Sequence, residues 1–292
     1  MLRFLLPASF VLIWSTGFIV ARAAAPHADL QFYLVLRFLS TAGLMGAAAL
    51  VVQARWPRPA DAVRYLLAGA LMLGIYLCAS YWAIARGMAA GVMSLLGALQ
   101  PLFTATCVAV GLGRRLPLLT WAGLCICFAG TALVLAPRIA MTGTGSLSGL
   151  TVSAALLSVI SVTAGALVQK WLPEADLRVA ATLQNLGGAV VAALFTFALG
   201  TWHWDGAPVL WGALVFAVLV PSVIGTTLLM WLMRHREATK VTALILLVPP
   251  LAAVQAYLFF HEIFSPLQVA GFALALAGVV LVQSVRSDAA VE

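Results

Sequence analysis

Of the sixteen Lys and Arg residues in this chain, Arg37 alone lies inside an apolar run, between Leu36 and Phe38. A guanidinium is a planar, forked donor that fits a carboxylate, and the fit strengthens where water is scarce. The chemistry it offers is recognition of an anion, not bond-making. Arg37 stands six residues past the expected start of its run, about 9 Å along a helix axis. At that depth its stem could also let the head snorkel to the interface. Both readings stand on sequence. Other polar and aromatic groups also lie within apolar runs: Trp14, Ser15 and Thr16 midway along the first, Tyr76 and Ser80 in the third, and Gln100 in the fourth. Tyr76 and Ser80 are four apart and so share one helical face. Rings offer stacking and apolar contact; hydroxyls and the amide offer hydrogen bonds. Pro101, Pro249 and Pro250 also lie within apolar runs. Each removes a backbone donor and frees a carbonyl four residues back, so these are candidate helix breaks or gates. The ordinary alternative is kinks that aid packing, with Tyr81 and Trp82 in an interfacial aromatic belt. We assign Trp14 and Tyr76 to a cavity and Trp82 to the belt.

Covalent or redox chemistry finds little material. Cys78, Cys107, Cys125 and Cys127 all fall within apolar runs, without metal-type spacing or a disulfide framework, and read as small apolar fillers. His27, His203, His235 and His261 form no ligand pair, and Gly143-Thr144-Gly145 lacks the ending of a phosphate loop. No catalytic residue, metal site or cofactor is expected, and no enzyme. The nine acidic residues (Asp29, Asp61, Glu174, Asp176, Asp205, Glu237, Glu262, Asp288 and Glu292) lie in gaps, at run ends or in tails. Proton-driven export of lipophilic cations wants a carboxylate at membrane depth, so such coupling is disfavoured. Glu262 reads as a turn residue, and transport should run without an imposed pH gradient.

The elements that must position these groups follow from hydrophobicity. Apolar residues make up 64% of the chain and charged residues 9%, a balance that implies lipid-facing surface. The net charge of +7 is scattered in short gaps, with no basic stripe or nucleic-acid module, so no nucleic-acid partner is expected. A bilayer core takes about 20 residues per helix. Ten spans result, at 4–25, 31–53, 65–86, 88–110, 118–136, 148–170, 178–200, 208–233, 240–261 and 265–285. Ser265-Pro266 caps and opens the last. Arg3, an apolar run and Ala23-Ala24-Ala25 imitate a cleaved signal. The segment has a counterpart near 152–173, however, and is read as a retained helix.

A constant shift of 148 places Gly17 on Gly165, Arg22 on Lys170, Trp56 on Trp204, Arg86 on Arg234, Pro101 on Pro249, Gly123 on Gly271 and Gly130 on Gly278. Such self-similarity marks a duplication. Five spans per copy is an odd number, so the copies must be inverted. The fold expected is all-α and integral to the membrane, one transporter domain over 1–292, with a first repeat at 1–140 and an inverted second at 148–286. Inverted repeats build secondary transporters. Twelve Lys and Arg residues fall on the side of the N-terminus (Arg3, Arg55, Arg58, Arg64, Arg114, Arg115, Lys170, Arg178, Arg234, Arg236, Lys240, Arg286) and three on the other (Arg22, Arg86, Arg138). Positive charge stays inside, which makes both termini cytoplasmic. Gly123, Ala129 and Gly130, with Gly271, Ala277 and Gly278, are spaced for close helix contact.

Trp14-Ser15-Thr16-Gly17-Phe18, Arg37-Phe38, Leu95-Leu96-Gly97-Ala98-Leu99-Gln100-Pro101 and the pattern from Glu262 through Gly271 to Gly278 carry a resemblance. With them the chain resembles the EamA family of the drug/metabolite transporter superfamily over nearly its full length, most of all the YddG-type aromatic amino-acid exporters. The resemblance implies a bacterial inner-membrane carrier working by alternating access, eight helices around a central cavity and the fifth and tenth peripheral. The expected function is export of amino acids or similar small zwitterions by a monomer whose partners are its substrate and the bilayer. Efflux of drugs or other metabolites is the first alternative, and a non-transporting scaffold or sensor the second. The chain departs from proton-coupled multidrug relatives in having no carboxylate in helix one.

Overall fold

A computed structural model describes residues 2–100, 103, 106–107, 117–140, 147–235, 245 and 247–288. Among them every regular element is helical, with one isolated bridge between Ala28 and Trp204. The α-helices are α1 (Leu2–Ser15), α2 (Gly17–Ala24), α3 (Leu30–Val51), α4 (Pro59–Gly69), α5 (Tyr76–Ala85), α6 (Ala90–Ala98), α7 (Leu118–Ala140), α8 (Gly149–Lys170), α9 (Leu177–Leu199), α10 (Pro208–Ala217), α11 (Thr226–His235), α12 (Val248–Phe260) and α13 (Pro266–Asp288). Two π-helical segments, π1 (Ala70–Ile75) and π2 (Val218–Gly225), connect α4 to α5 and α10 to α11. The described residues hold seven helices long and apolar enough to cross a membrane, against ten expected spans, and two shorter apolar helices. The fourth span, 88–110, appears as α6 and a few helical residues beyond it, and Pro101 lies outside the described residues. Multiple hydrophobic helices of this length make a multi-pass membrane protein.

Local sequence explains the boundaries. Asp29 caps α3 by accepting from the Gln31 backbone N–H at 2.9 Å, and Asp176 caps α9 from Arg178 N–H at 2.8 Å. The third span begins at Pro59, six residues before the apolar run. Arg58 is extended and Pro59 sits in the first turn, where its missing N–H costs nothing. The Asp61–Arg64 pair at 3.1 Å keeps that added turn polar. Ser265 and Gln268 form a reciprocal capping box at α13: Gln268 N–H donates to Ser265 Oγ and Ser265 N–H to Gln268 Oε1. The first span is interrupted, with Thr16 a turn between α1 and α2.

The chain forms two compact units: unit one from Met1–Ile19, Gly87–Val152 and Leu228–Glu292, unit two from Val20–Arg86 and Ser153–Thr227. Each draws on both halves of the sequence. In unit one, α7 and α13 pack antiparallel through glycines. A Cβ on Gly278 would stand 2.7 Å from Gly123 O and Cys127 N, and one on Gly271 2.7 Å from Gly130 O. Cys127 Sγ donates to Ala275 O at 3.3 Å across this seam. Phe10, Val11, Leu232 and Val248 form a further core there. In unit two, α3 and α9 are also antiparallel. Phe38 lies near Gly188 and Gly46 near Thr182, while Ala49, Tyr65, Val179 and Leu183 form a core at one end. Cβ atoms on Gly69 and Gly187 would collide with the Gln184 and Leu66 backbones, so α4 and α9 meet at main-chain distance.

Candidate functional site

Unit two contains the buried charge. Arg37 is 7% exposed, on α3 about 10 Å along the axis from Leu30 at 1.5 Å per residue. Its Nη1 donates to Tyr81 Oη at 2.8 Å on α5, and its Nε and Nη2 both donate to Ser222 Oγ at 3.3 and 3.1 Å on π2. No ion pair among the described residues includes Arg37. Two N–H groups of its five are not engaged by these bonds, and among the described residues its charge is met only by neutral hydroxyls. A guanidinium held this way carries its full charge to any anion that reaches it. The head does not extend along α3 to an exposed end, as snorkelling would have it, but is fixed between two neighbouring elements.

Helix spacing and a helix defect place these groups. Tyr33 is one turn before Arg37 on α3; its ring stacks with Tyr81 at 6.5 Å between centroids, and its hydroxyl donates to Ala213 O at 2.9 Å. Ser222 follows Pro221, which cannot donate within the helix and lies in π2. A wide turn shifts every later side chain relative to an uninterrupted α-helix, and Ser222 faces Arg37 in consequence. Thr226 Oγ1 donates to the Ser222 and Val223 carbonyls, and Ser161 Oγ to Leu71 O in π1 at 2.8 Å. Hydroxyls thus satisfy carbonyls in both wide turns. At the position matching Arg37 in the second half, Asn185 is neutral and donates to its own helix at Ala181 O.

Tyr76 and Ser80 also belong to unit two. Ser80 is fully buried and donates to the Tyr76 carbonyl at 2.7 Å, which leaves its oxygen lone pairs for any further partner. Tyr76 is half-buried at the start of α5. Tyr81, for which the belt was the ordinary alternative, is fully buried and bonded to Arg37. Trp82 is half-buried, with the Arg86 guanidinium 3.4 Å above its ring.

Unit one holds the remaining candidates. Trp14 packs against the Phe10 ring at 5.2 Å and joins the Phe10–Leu232–Val248 cluster. Ser15 Oγ donates to Leu12 O at 2.8 Å and Thr16 Oγ1 to Ile13 O at 2.6 Å. Both hydroxyls fold back on the turn at which the helix breaks. Gln100 is half-buried and helical. Pro249 and Pro250 occupy the first turn of α12, which begins at Val248 just after the turn at Leu247. The described residues contain no group of three or more potential metal ligands. Tyr33 and Ser222 are the members sequence reasoning missed, and Tyr81 was named there without its bond to Arg37. Tyr33 had a signal, its four-residue spacing from Arg37; Ser222 had only its proline neighbour.

The chain matches the EamA-like transporter family over residues 4–136 and again over 149–284. It is 27% identical over 277 residues to a protein of Streptantibioticus cattleyicolor named "Probable terminal-alkyne amino-acid exporter", covering 93% of this chain and 90% of that one. It is 26% identical over 284 residues to a chloroplastic WAT1-related protein of Arabidopsis thaliana, covering 92% of this chain and 66% of the plant protein. A protein of known crystal structure superposes with a TM-score of 0.65 at 21% identity, covering 95% of this chain and 94% of that one, a likeness of fold.

Proposed function

The chain belongs to the EamA-like transporter family, and on that premise we propose that it exports amino acids or similar small zwitterionic metabolites by alternating access. Arg37 carries this reading. A buried, permanently charged fork with donors to spare is suited to a carboxylate, and no acidic side chain among the described residues neutralises it. The likeness to the Streptantibioticus protein named "Probable terminal-alkyne amino-acid exporter" supports the substrate class. The antiparallel pairing of α7 with α13 and of α3 with α9 supports two inverted five-helix repeats, 1–140 and 148–286, since each pair joins elements 147 or 148 positions apart. In this reading Trp14, Ser15, Thr16, Tyr76, Ser80 and Gln100 serve as further substrate contacts. Pro101, Pro249 and Pro250 serve as points of helix interruption. The protein works as a monomer in a bacterial inner membrane with both termini cytoplasmic.

Efflux from liposomes containing the purified protein, screened with amino acids and their decarboxylated amines, tests the proposal. Amino acids should leave faster than the matching amines. Export of amines and lipophilic cations at equal or greater rates would replace it with the multidrug alternative, and no flux of any solute would favour the scaffold.

A further inference from the structure

Because α3 and α9 are antiparallel, unit two places one pair of loops side by side at each end. At the first end the pair is sealed. Ala28 bridges Trp204, Asp29 N–H donates to His203 O at 2.9 Å, and Asp205 N–H to His27 O at 3.0 Å. Asp29 Oδ2 accepts from Thr201 N–H at 2.6 Å, and His27 Nδ1 lies 2.6 Å from Asp205 Oδ2. The other end carries the loops that a shift of 148 relates to these, with Trp56 matching Trp204 and Asp176 matching Ala28. These leave a hollow of about 330 Å³ lined by Arg55, Trp56, Pro57, Glu174, Ala175 and Asp176.

The charges in this hollow are unequally used. Asp176 caps α9 and pairs with Arg178 at 3.5 Å. Arg55 and Glu174 are exposed, and among the described residues neither forms an ion pair or a side-chain hydrogen bond. Trp56 is 46% exposed beside them, and Trp171 at the end of α8 is 78% exposed. Loops that join apolar spans lie at the membrane–water interface, where exposed tryptophans belong. A free cation, a free anion and an aromatic ring facing one hollow complement a small molecule with opposite charges a few bonds apart.

We propose that this hollow binds a phosphoethanolamine-type headgroup, with its phosphate on Arg55, its primary ammonium on Glu174 and its less polar part along Trp56. The ammonium matters because it donates hydrogen bonds to a carboxylate, whereas a trimethylated nitrogen has no N–H to give. An anionic headgroup without an amine would meet Glu174 unfavourably. The same chemistry occurs in phosphatidylethanolamine at the bilayer surface and in free water-borne zwitterions. The proposal uses none of the residues assigned to transport and stands independently of the Arg37 reading.

The test compares thermal unfolding of the full-length protein in phosphatidylcholine vesicles with and without added phosphatidylethanolamine, since a ligand that binds the folded state raises its melting temperature. Phosphatidylethanolamine should raise the melting temperature by several degrees in the wild type. The double variant Arg55→Gln/Glu174→Gln should lose that rise while keeping wild-type efflux in phosphatidylcholine. An equal rise in both proteins would be a bulk bilayer effect and would overturn the site. Soluble glycerophosphoethanolamine distinguishes the sources: if it stabilises the protein in phosphatidylcholine while the lipid does not, the headgroup chemistry stands with a water-borne ligand. Should the double variant fold poorly, native mass spectrometry of Glu174→Gln decides. It should retain less phosphatidylethanolamine than wild type, and equal retention would overturn the proposal.

Discussion

Arg37 Nη1 donates to Tyr81 Oη at 2.8 Å, joining α3 to α5 across 44 positions of sequence. The phenol aims the guanidinium without neutralising it, as a carboxylate partner would. This makes Tyr81 and Ser222 positioning residues for the proposed anion site, and their removal should affect recognition before it affects folding.

Arg37→Lys keeps the charge and loses the fork, so export of amino acids should weaken; Arg37→Gln should weaken it further. A lost hydrogen bond to a charged group is worth about 1.5–3 kcal/mol, on the order of ten- to a hundredfold in KM. Decarboxylated substrates, if carried at all, should be spared. Normal amino-acid export by well-folded Arg37→Gln would remove Arg37 from the substrate site, and loss of folded protein in both variants would make it a structural residue.

Tyr81→Phe, which removes one bond to Arg37, and Ser222→Ala, which removes two, should each raise KM for carboxylate substrates by about tenfold or more, with kcat little changed. Ser222→Thr keeps the hydroxyl and should restore most of the affinity. Initial-rate efflux at varied internal substrate measures the split; a fall in kcat alone would argue against positioning.

The α7–α13 seam leaves no room for side chains. Gly271→Val and Gly278→Val should each destabilise by about 1–3 kcal/mol, the usual range for overpacking, and lower the melting temperature in detergent. Gly212→Ala, with nothing within 4 Å of its added carbon, is the matched control and should melt like wild type.

The loop 200–207 should loosen in acid. Asp205 accepts from Ala207 N–H at 2.8 Å and pairs with His27, and these bonds hold its carboxyl below the ordinary 3.8. A depressed folded value means the stabilisation is present above 3.8 and is lost as pH falls through the folded value. Hydrogen exchange in 200–207, corrected for its intrinsic pH dependence, should lose protection only below about pH 4. Asp205→Asn should flatten that dependence, and an unchanged profile would place the linkage elsewhere.

Topology has its own test. Cysteines introduced at Ala28 and Gly206 should be labelled from outside intact cells, and those at Asp61 and Glu237 should not. The reverse pattern would invert the orientation, and a mixed one would revise the number of spans.

Sequence alone determined what depends on local pattern. Apolar runs of span length, Asp, Ser and Pro at helix starts, and glycines repeating at a shift of 148 are read from neighbours or from self-similarity. They led to an all-helical membrane protein, to the Ser265 cap and to close helix contact at the glycines of α7 and α13, without showing that the two helices meet each other. Arg37 was equally visible, because a lone charge in an apolar run needs a partner wherever the run folds. Its partners were not visible. Tyr81 sits near a span end, where cavity and interface are both open to it; only the packing of α5 on α3 decides that it faces Arg37. Ser222 reaches Arg37 through π2, and one extra residue in a helical turn rotates later side chains by about 100°. Periodicity of 3.6 cannot foresee that rotation. The capping loops give the same lesson. The shift relates the pair sealed by Asp29 and Asp205 to the pair lined by Arg55 and Glu174, but only the tertiary structure decided which pair closes and which leaves two opposite charges free around a hollow.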